Sequence, residues 1–135
     1  MIERTFAATD DTLQDALALT EEELEKVDCP MKVVMQITVC LEEMYVNVAH
    51  YAYGDGQGDV TMQLDCAPGS CSIVLIDSGM AFDPLAKADP DITLSAEERG
   101  IGGLGIFMVK KSMDEVRYER DGDRNIFYMK KLWTA

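Results

Sequence analysis

The apolar positions change period along the chain, and each change marks an element. Residues 2–8 form a short β-prone opening, after which Thr9-Asp10 offers a helix N-cap. Leu13, Leu17, Leu24 and Val27 recur at helical spacing, with Thr20 filling the stripe, while Glu21, Glu22, Glu23 and Glu25 fall mostly off it as a solvated face. Asp28-Cys29-Pro30 ends this helix and starts another, with Pro30 near its first position. The stripe Val34, Ile37, Leu41, Met44 and Val48 predicts the second helix over about 30–52, closed by Gly54, Gly56 and Gly58. The period then drops to two: Val60, Met62, Leu64 and Cys66 alternate with Thr61, Gln63 and Asp65, a half-buried strand. Ala67-Pro68-Gly69-Ser70 turns the chain into a more fully buried strand over 71–76. From 78 to 99 the chain is polar, with only Ile92 and Leu94 as strong apolar anchors, and a loop of that length inside a domain is usually functional or mobile. A third helix is expected over about 104–113. Two strands near 115–120 and 125–133, joined by Asp121-Gly122-Asp123-Arg124, follow it. Because the strands arrive as hairpin pairs, the pattern predicts an α+β two-layer sandwich: a mixed, mainly antiparallel sheet of about five strands with three helices on one face.

Composition narrows the function. The 135 residues make one domain, 1–135, and the 47% hydrophobic and 27% charged shares fit an ordinary globular chain. The longest apolar runs, 73–76 and 106–109, fall far short of the roughly 20 residues of a membrane-spanning helix. No basic stretch leads into an apolar one as in a signal peptide, so a cytoplasmic protein without a membrane partner is expected. Twelve basic against 25 acidic residues leave a net charge of −13, which repels phosphate backbones and argues against direct nucleic-acid binding; a basic protein partner stays open. The cysteines, Cys29, Cys40, Cys66 and Cys71, include no C-x-x-C pair, and His50 is the only histidine, which argues against a structural zinc site. Cys66 and Cys71 could face each other across a hairpin, but four reduced, partly buried thiols are the plainer expectation for a cytosolic chain.

Three segments carry candidate chemistry. In Glu43-x-x-x-Asn47 the i,i+4 spacing puts both side chains on one helical face, beside the apolar stripe. A carboxylate there can take a proton from a hydroxyl or a water, and an amide oxygen one turn on can ligate a hard cation such as magnesium. A solvent-facing polar pair on an amphipathic helix has the same spacing. Next, Asp77-Ser78-Gly79-Met80-Ala81-Phe82-Asp83-Pro84 follows the buried strand. An Asp at a strand end can accept a hydrogen bond from an amine such as the adenine amino group, and Gly79 lets backbone approach a flat ring. An ordinary Asp-x-Gly turn reads the same way. Last, Gly100-Ile101-Gly102-Gly103-Leu104-Gly105 leads into the third helix. Its N–H groups and positive dipole end suit a phosphate, although a flexible hinge has the same composition. The run matches G-x-G-x-x-G, but no strand precedes it and no βαβ unit surrounds it, which rules out the dinucleotide fold. Nor does a Walker lysine follow. Arg99, directly before the glycines, can stabilise charge on a transferring phosphoryl group, or pair with Glu97 or Glu98 at the surface.

Together, in this order and spacing, the segments resemble the boxes of the GHKL ATPase superfamily. Leu41-Glu42-Glu43-Met44-Tyr45-Val46-Asn47-Val48-Ala49-His50-Tyr51-Ala52-Tyr53 is similar to its N box, the Asp77–Leu85 stretch to its G1 box, and Gly102-Gly103-Leu104-Gly105-Ile106-Phe107-Met108-Val109 to its G2 box. Asp114-Glu115-Val116-x-Tyr118 and Asn125-Ile126-Phe127-Tyr128-Met129-Lys130-Lys131 resemble the closing strands of its anti-sigma factor serine kinase branch. The resemblance covers nearly the whole chain and implies a Bergerat-type sandwich that binds ATP with magnesium (Mg2+). It casts Glu43 as general base, Asn47 as magnesium ligand and Asp77 as reader of the adenine amino group. Gly79 would line the base, Gly102, Gly103, Leu104 and Gly105 would form the phosphate cradle, and 78–102 would be a lid that orders on nucleotide, with Arg99 reaching the γ-phosphate. Two departures stand out. Tyr51-Ala52-Tyr53 replaces the frequent His-Ala-Tyr or His-Gly-Tyr, with His50 one place early, and Met80-Ala81 replaces a frequent Ile-Pro. Neither removes a proposed ligand.

The same resemblance implies a serine/threonine protein kinase acting as an anti-sigma factor. Such a protein phosphorylates a STAS-domain anti-anti-sigma partner, sequesters a sigma factor, and forms a homodimer through the first strand and helix. The length leaves no room for the further domains of gyrase-like members, and the one histidine lies inside the N box, so the phosphoryl group is expected to go to another molecule. The alternative is a non-catalytic ATP-binding regulatory module that sequesters a partner protein; it has no need of a base, which Glu43, Asn47 and Arg99 together would supply.

Overall fold

Alternation of buried and open positions along three of the strands decides the architecture. The computed structural model describes residues 1–54, 56–85 and 103–134. Its elements are β1 (Ile2–Ala7), a 3-10 turn (Asp10–Thr12), α1 (Leu13–Lys26), α2 (Met31–Asn47) and a π turn (Val48–Ala52). They continue with β2 (Asp59–Ala67), β3 (Ser70–Asp77), α3 (Gly103–Ser112), β4 (Glu115–Asp121) and β5 (Arg124–Leu132). Val60, Met62 and Leu64 of β2, Cys71, Ile73 and Leu75 of β3, and Phe127 and Met129 of β5 are buried on one sheet face. They meet Ile37, Leu41, Met44 and Tyr45 of α2, Ala16 and Leu24 of α1, and Val109 of α3 in a single core. Each fully buried large aliphatic side chain contributes about 1.5–3 kcal/mol. The central helix is α2, which packs against both α1 and α3.

The strand order is β1-β2-β3-β5-β4, and every neighbouring pair is antiparallel. The sheet is therefore antiparallel throughout the described strands, not mixed. The reason is topological: β3 and β4 run parallel on either side of α3, but β5 turns back from β4 and inserts between them, so the two never pair. The β4–β5 turn is tighter than the four-residue joint expected, because Asp121 pairs with Arg124 and Gly122 takes a positive φ of 61°.

Two local expectations shift. Thr9 caps no helix with its side chain, and α1 starts at Leu13 after the 3-10 turn. Thr12 serves as a tie instead: its hydroxyl donates to the Ala7 carbonyl at 2.7 Å and accepts from the Tyr45 hydroxyl at 2.5 Å. The second helix ends its α-helical part at Asn47 and continues to Ala52 as a π turn, and the Ala52 carbonyl at its end is taken by the Met80 N–H at 2.7 Å. Thr20 fills its stripe as expected, fully buried, with its hydroxyl on the Ala16 carbonyl at 2.9 Å. Residues 86–102, and with them Arg99, Gly102 and most of the expected lid, lie outside the described residues.

Candidate nucleotide site

Asp77 ends β3 on the core-facing parity of Cys71, Ile73 and Leu75, so the strand carries a carboxylate to the rim of the core, where it is 6% exposed. Its Oδ1 accepts the Gly79 N–H and the Asn125 side-chain amide, each at 2.9 Å. The Asn125 amide also donates to the Met80 carbonyl at 2.7 Å. On its other side, Asn125 Oδ1 accepts from the Tyr118 hydroxyl and, at 3.2 Å, from the Arg120 guanidinium. The same Arg120 nitrogen holds the Gly79 carbonyl at 2.9 Å. The loop after β3 is thus tied to β4 and β5, and Asp77 is fixed in one orientation. Its second oxygen takes no hydrogen bond from the described residues and remains for a ligand donor.

Asp77 and Asn47 line one open-mouthed cleft. Its remaining walls are mainly apolar: Met44 and Val48 from the second helix, Tyr51 and Ala52 from the π turn, Met80 and Phe82 beyond β3, and Phe127 from β5. A flat apolar slot with one fixed carboxylate at its floor suits a heteroaromatic ring bearing an amine. Tyr53 braces the slot: its hydroxyl accepts the Ser78 N–H at 2.9 Å and donates to the Asp59 carbonyl at 2.5 Å. Burial pushes the Tyr53 phenol above its ordinary pKa.

The glycines hold the walls together. A Cβ at Gly79 would overlap the carbonyl of Ala52, so this glycine lets the loop after β3 dock on the π turn; it backs the cleft, and it is not among the residues that line it. A Cβ at Gly105 would overlap the carboxylate of Glu43. Glu43 therefore lies one turn before Asn47, beside the first turn of α3, where the positive helix end favours a carboxylate. Gly103 opens that helix, and Leu104 follows in its backbone. The structure brings Asn47, Asp77, Gly79, Glu43, Gly103 and Gly105 to one end of the sandwich. Among the described residues no group of three or more His, Cys, Asp or Glu could hold a metal ion. The Asn47 amide suits a magnesium ion that takes its other ligands from phosphate and water, which is how this ion usually binds.

Tyr118 and Asn125 entered the sequence reading only within the closing-strand motifs, and neither they nor Arg120 was picked out as a site residue. The available signal was parity: Asn125 shares the inward positions of Phe127 and Met129, so a polar side chain was due to point into the core.

The family described as "Histidine kinase-like ATPase domain" matches residues 6–131. The serine-protein kinase RsbW of Bacillus cereus (strain B4264) is 23% identical over 103 residues, 73% of this chain and 64% of that protein's length. The serine/threonine-protein kinase BtrW of Bordetella bronchiseptica is 24% identical over 116 residues, covering 85% of this chain and 82% of BtrW. The chain thus spans less than two thirds of the Bacillus relative. Among solved structures, the RsbU and RsbW domains of Rv1364c from Mycobacterium tuberculosis superpose with a TM-score of 0.62 at 14% identity. That match covers 98% of this chain and 32% of the other, and it shows the fold alone.

Proposed function

The chain belongs to the histidine kinase-like ATPase domain family, and from that premise we propose that it is an ATP-dependent serine/threonine protein kinase acting as an anti-sigma factor. It phosphorylates a STAS-domain anti-anti-sigma protein, sequesters a sigma factor when that protein is unavailable, and works as a homodimer in the cytoplasm. The observation that carries the reading is the convergence of Asn47 and Asp77 on one cleft, with Glu43 a helical turn away against Gly105. In this reading the free oxygen of Asp77 accepts the adenine amino group, and the apolar walls hold the ring. Asn47 would hold a magnesium ion, which would screen phosphate charge. The first turn of α3, with Gly103 and Gly105, offers N–H groups to the phosphates. Glu43 takes the proton of the incoming hydroxyl, and Arg99 offsets charge on the transferring group. Phosphoryl transfer depends mostly on positioning and electrostatics, so few groups suffice.

The test is transfer of labelled phosphate from Mg-ATP to a STAS-domain protein. Glu43→Ala should keep nucleotide binding and lose about two to four orders of magnitude in rate, the span expected for a general base. Equal rates for Glu43→Ala and wild type would remove Glu43 from the mechanism. Absence of nucleotide binding by wild type at millimolar ATP would overturn the whole reading.

A further inference from the structure

At the end of the sheet remote from the cleft, two thiols face each other. Cys66 and Cys71 are cross-strand partners in the β2–β3 hairpin, and their sulfurs are 3.4 Å apart with both thiols free. Ala67 pairs with Ser70 across the two-residue turn Pro68-Gly69, where Gly69 has a φ of 87°. Antiparallel pairs alternate between those that share hydrogen bonds and those that do not, so the pair beyond the turn-closing one is of the second kind, with Cα atoms about 4.5 Å apart. That spacing lies within the range of about 4.4–6.8 Å that disulfides span. Closing the sulfurs to the roughly 2.05 Å of a disulfide then needs side-chain rotation alone. The two thiols differ in access: Cys66 is partly exposed, whereas Cys71 is fully buried.

We infer that Cys66 and Cys71 form a dithiol site that a hydroperoxide oxidises to an intrachain disulfide, Cys66 reacting first and Cys71 resolving it. The Cys66 thiolate attacks one peroxide oxygen; the O–O bond breaks, and the departing alkoxide or hydroxide leaves as alcohol or water after protonation. Cys66 becomes a sulfenic acid. The sulfur of Cys71 then displaces its hydroxyl, losing a proton, and water leaves. With hydrogen peroxide the balance is two thiols plus one peroxide to one disulfide and two waters, with sulfur oxidised and peroxide oxygen reduced. The division of labour agrees with the local electrostatics: the hydrogen bond with Cys71 lowers the pKa of Cys66, whereas the bond to Cys66, and then burial, raise that of Cys71. Cys29, at the corner between α1 and α2, is held protonated by burial and by the nearby Cys66 sulfur, which makes it the slower competitor. Along β2 the site is six residues from Val60, the partner of Asp77, or about 20 Å at the rise of a strand. Oxidation here is therefore compatible with an intact nucleotide cleft, and the site stands whether or not the chain is a kinase.

The experiment treats the full chain with stoichiometric hydrogen peroxide and maps the thiols by mass spectrometry. The expected result is loss of two hydrogens, a linked peptide joining Cys66 to Cys71, recovery with dithiothreitol, and nucleotide affinity unchanged within twofold. In Cys71→Ser a sulfenic acid should persist at Cys66 and react with dimedone, while Cys66→Ser should leave Cys71 unmodified. Preferential oxidation of Cys29 or Cys40 in the wild type, or four titratable thiols after treatment, would overturn the proposal.

Discussion

The carboxylate of Glu43 fills the space in which the side chain of any other residue at position 105 would begin. This makes the glycine a condition on α2 as much as on the start of α3. Because the group it meets is the movable end of the half-buried Glu43 side chain, Gly105→Ala should displace that carboxylate and destabilise the fold by no more than about 1 kcal/mol. The same substitution in a Glu43→Ala background should be neutral or gain up to about 1 kcal/mol from helix propensity. Urea unfolding of the four proteins of this cycle measures the coupling. Equal costs in both backgrounds would mean that the contact does not restrain position 105.

Asn125 should matter to ligand binding without touching the proposed phosphates. Asn125→Ala leaves Asp77 Oδ1 with one donor and strands the hydrogen bonds of Tyr118 and Arg120. Of these groups Asp77 is the buried one, and a buried polar group that loses a partner costs about 1–3 kcal/mol. Calorimetry should show ATP affinity falling tenfold or more. Unchanged affinity would show that the orientation of Asp77 does not need this support.

Asp77→Asn keeps the size of the side chain and its acceptor for Gly79, but turns an amide donor toward the cleft. Adenine nucleotides should weaken far more than the urea midpoint moves. A variant that binds ATP as the wild type does would place the adenine contact elsewhere.

Alkaline conditions should reveal the buried phenols. Burial raises the pKa of Tyr45 and Tyr53 in the folded chain. A raised folded-state pKa means that the native state holds its proton more tightly than the unfolded one. The stabilisation is thus complete below the unfolded value of about 10 and disappears as pH climbs through the higher folded value. Stability measured from pH 8 to pH 12 should drop above about pH 10. Tyr45→Phe should lose about 0.5–1.5 kcal/mol at neutral pH, from the lost bond to Thr12, and show a shallower alkaline decline. A decline as steep as that of the wild type would exclude Tyr45 as a source.

The elements were legible because their signals are local. The α2 stripe and the β2 alternation each follow from a period, and the buried positions Ile37, Leu41, Val60, Met62 and Leu64 agree with it. Asn47 and Asp77, singled out from two separate segments, do share a cleft. What the sequence could not display is neighbourhood. A mixed sheet was expected because nothing near β5 says that it lies between β3 and β4. The role of Asn125 depends on that same insertion, since its partner Asp77 is 48 positions away. The shift from Thr9 to Thr12 has a similar origin: Tyr45, a residue of another helix, engages the Thr12 hydroxyl.

The insertion of β5 also imposes an order on events during synthesis. β1, β2 and β3 can pair as soon as they leave the ribosome, since each lies next to one already made. β4 emerges earlier than β5 but has no described strand to pair with until β5 arrives. The Asp77 carboxylate waits likewise for Asn125. Contacts of such long separation close slowly, because the loop entropy is spent before any pairing rewards it. A nascent chain halted before β5 would hold both motif-bearing helix α2 and strand β3, yet leave a bare strand edge where the cleft floor belongs, a species prone to chaperone capture or to misplaced pairing.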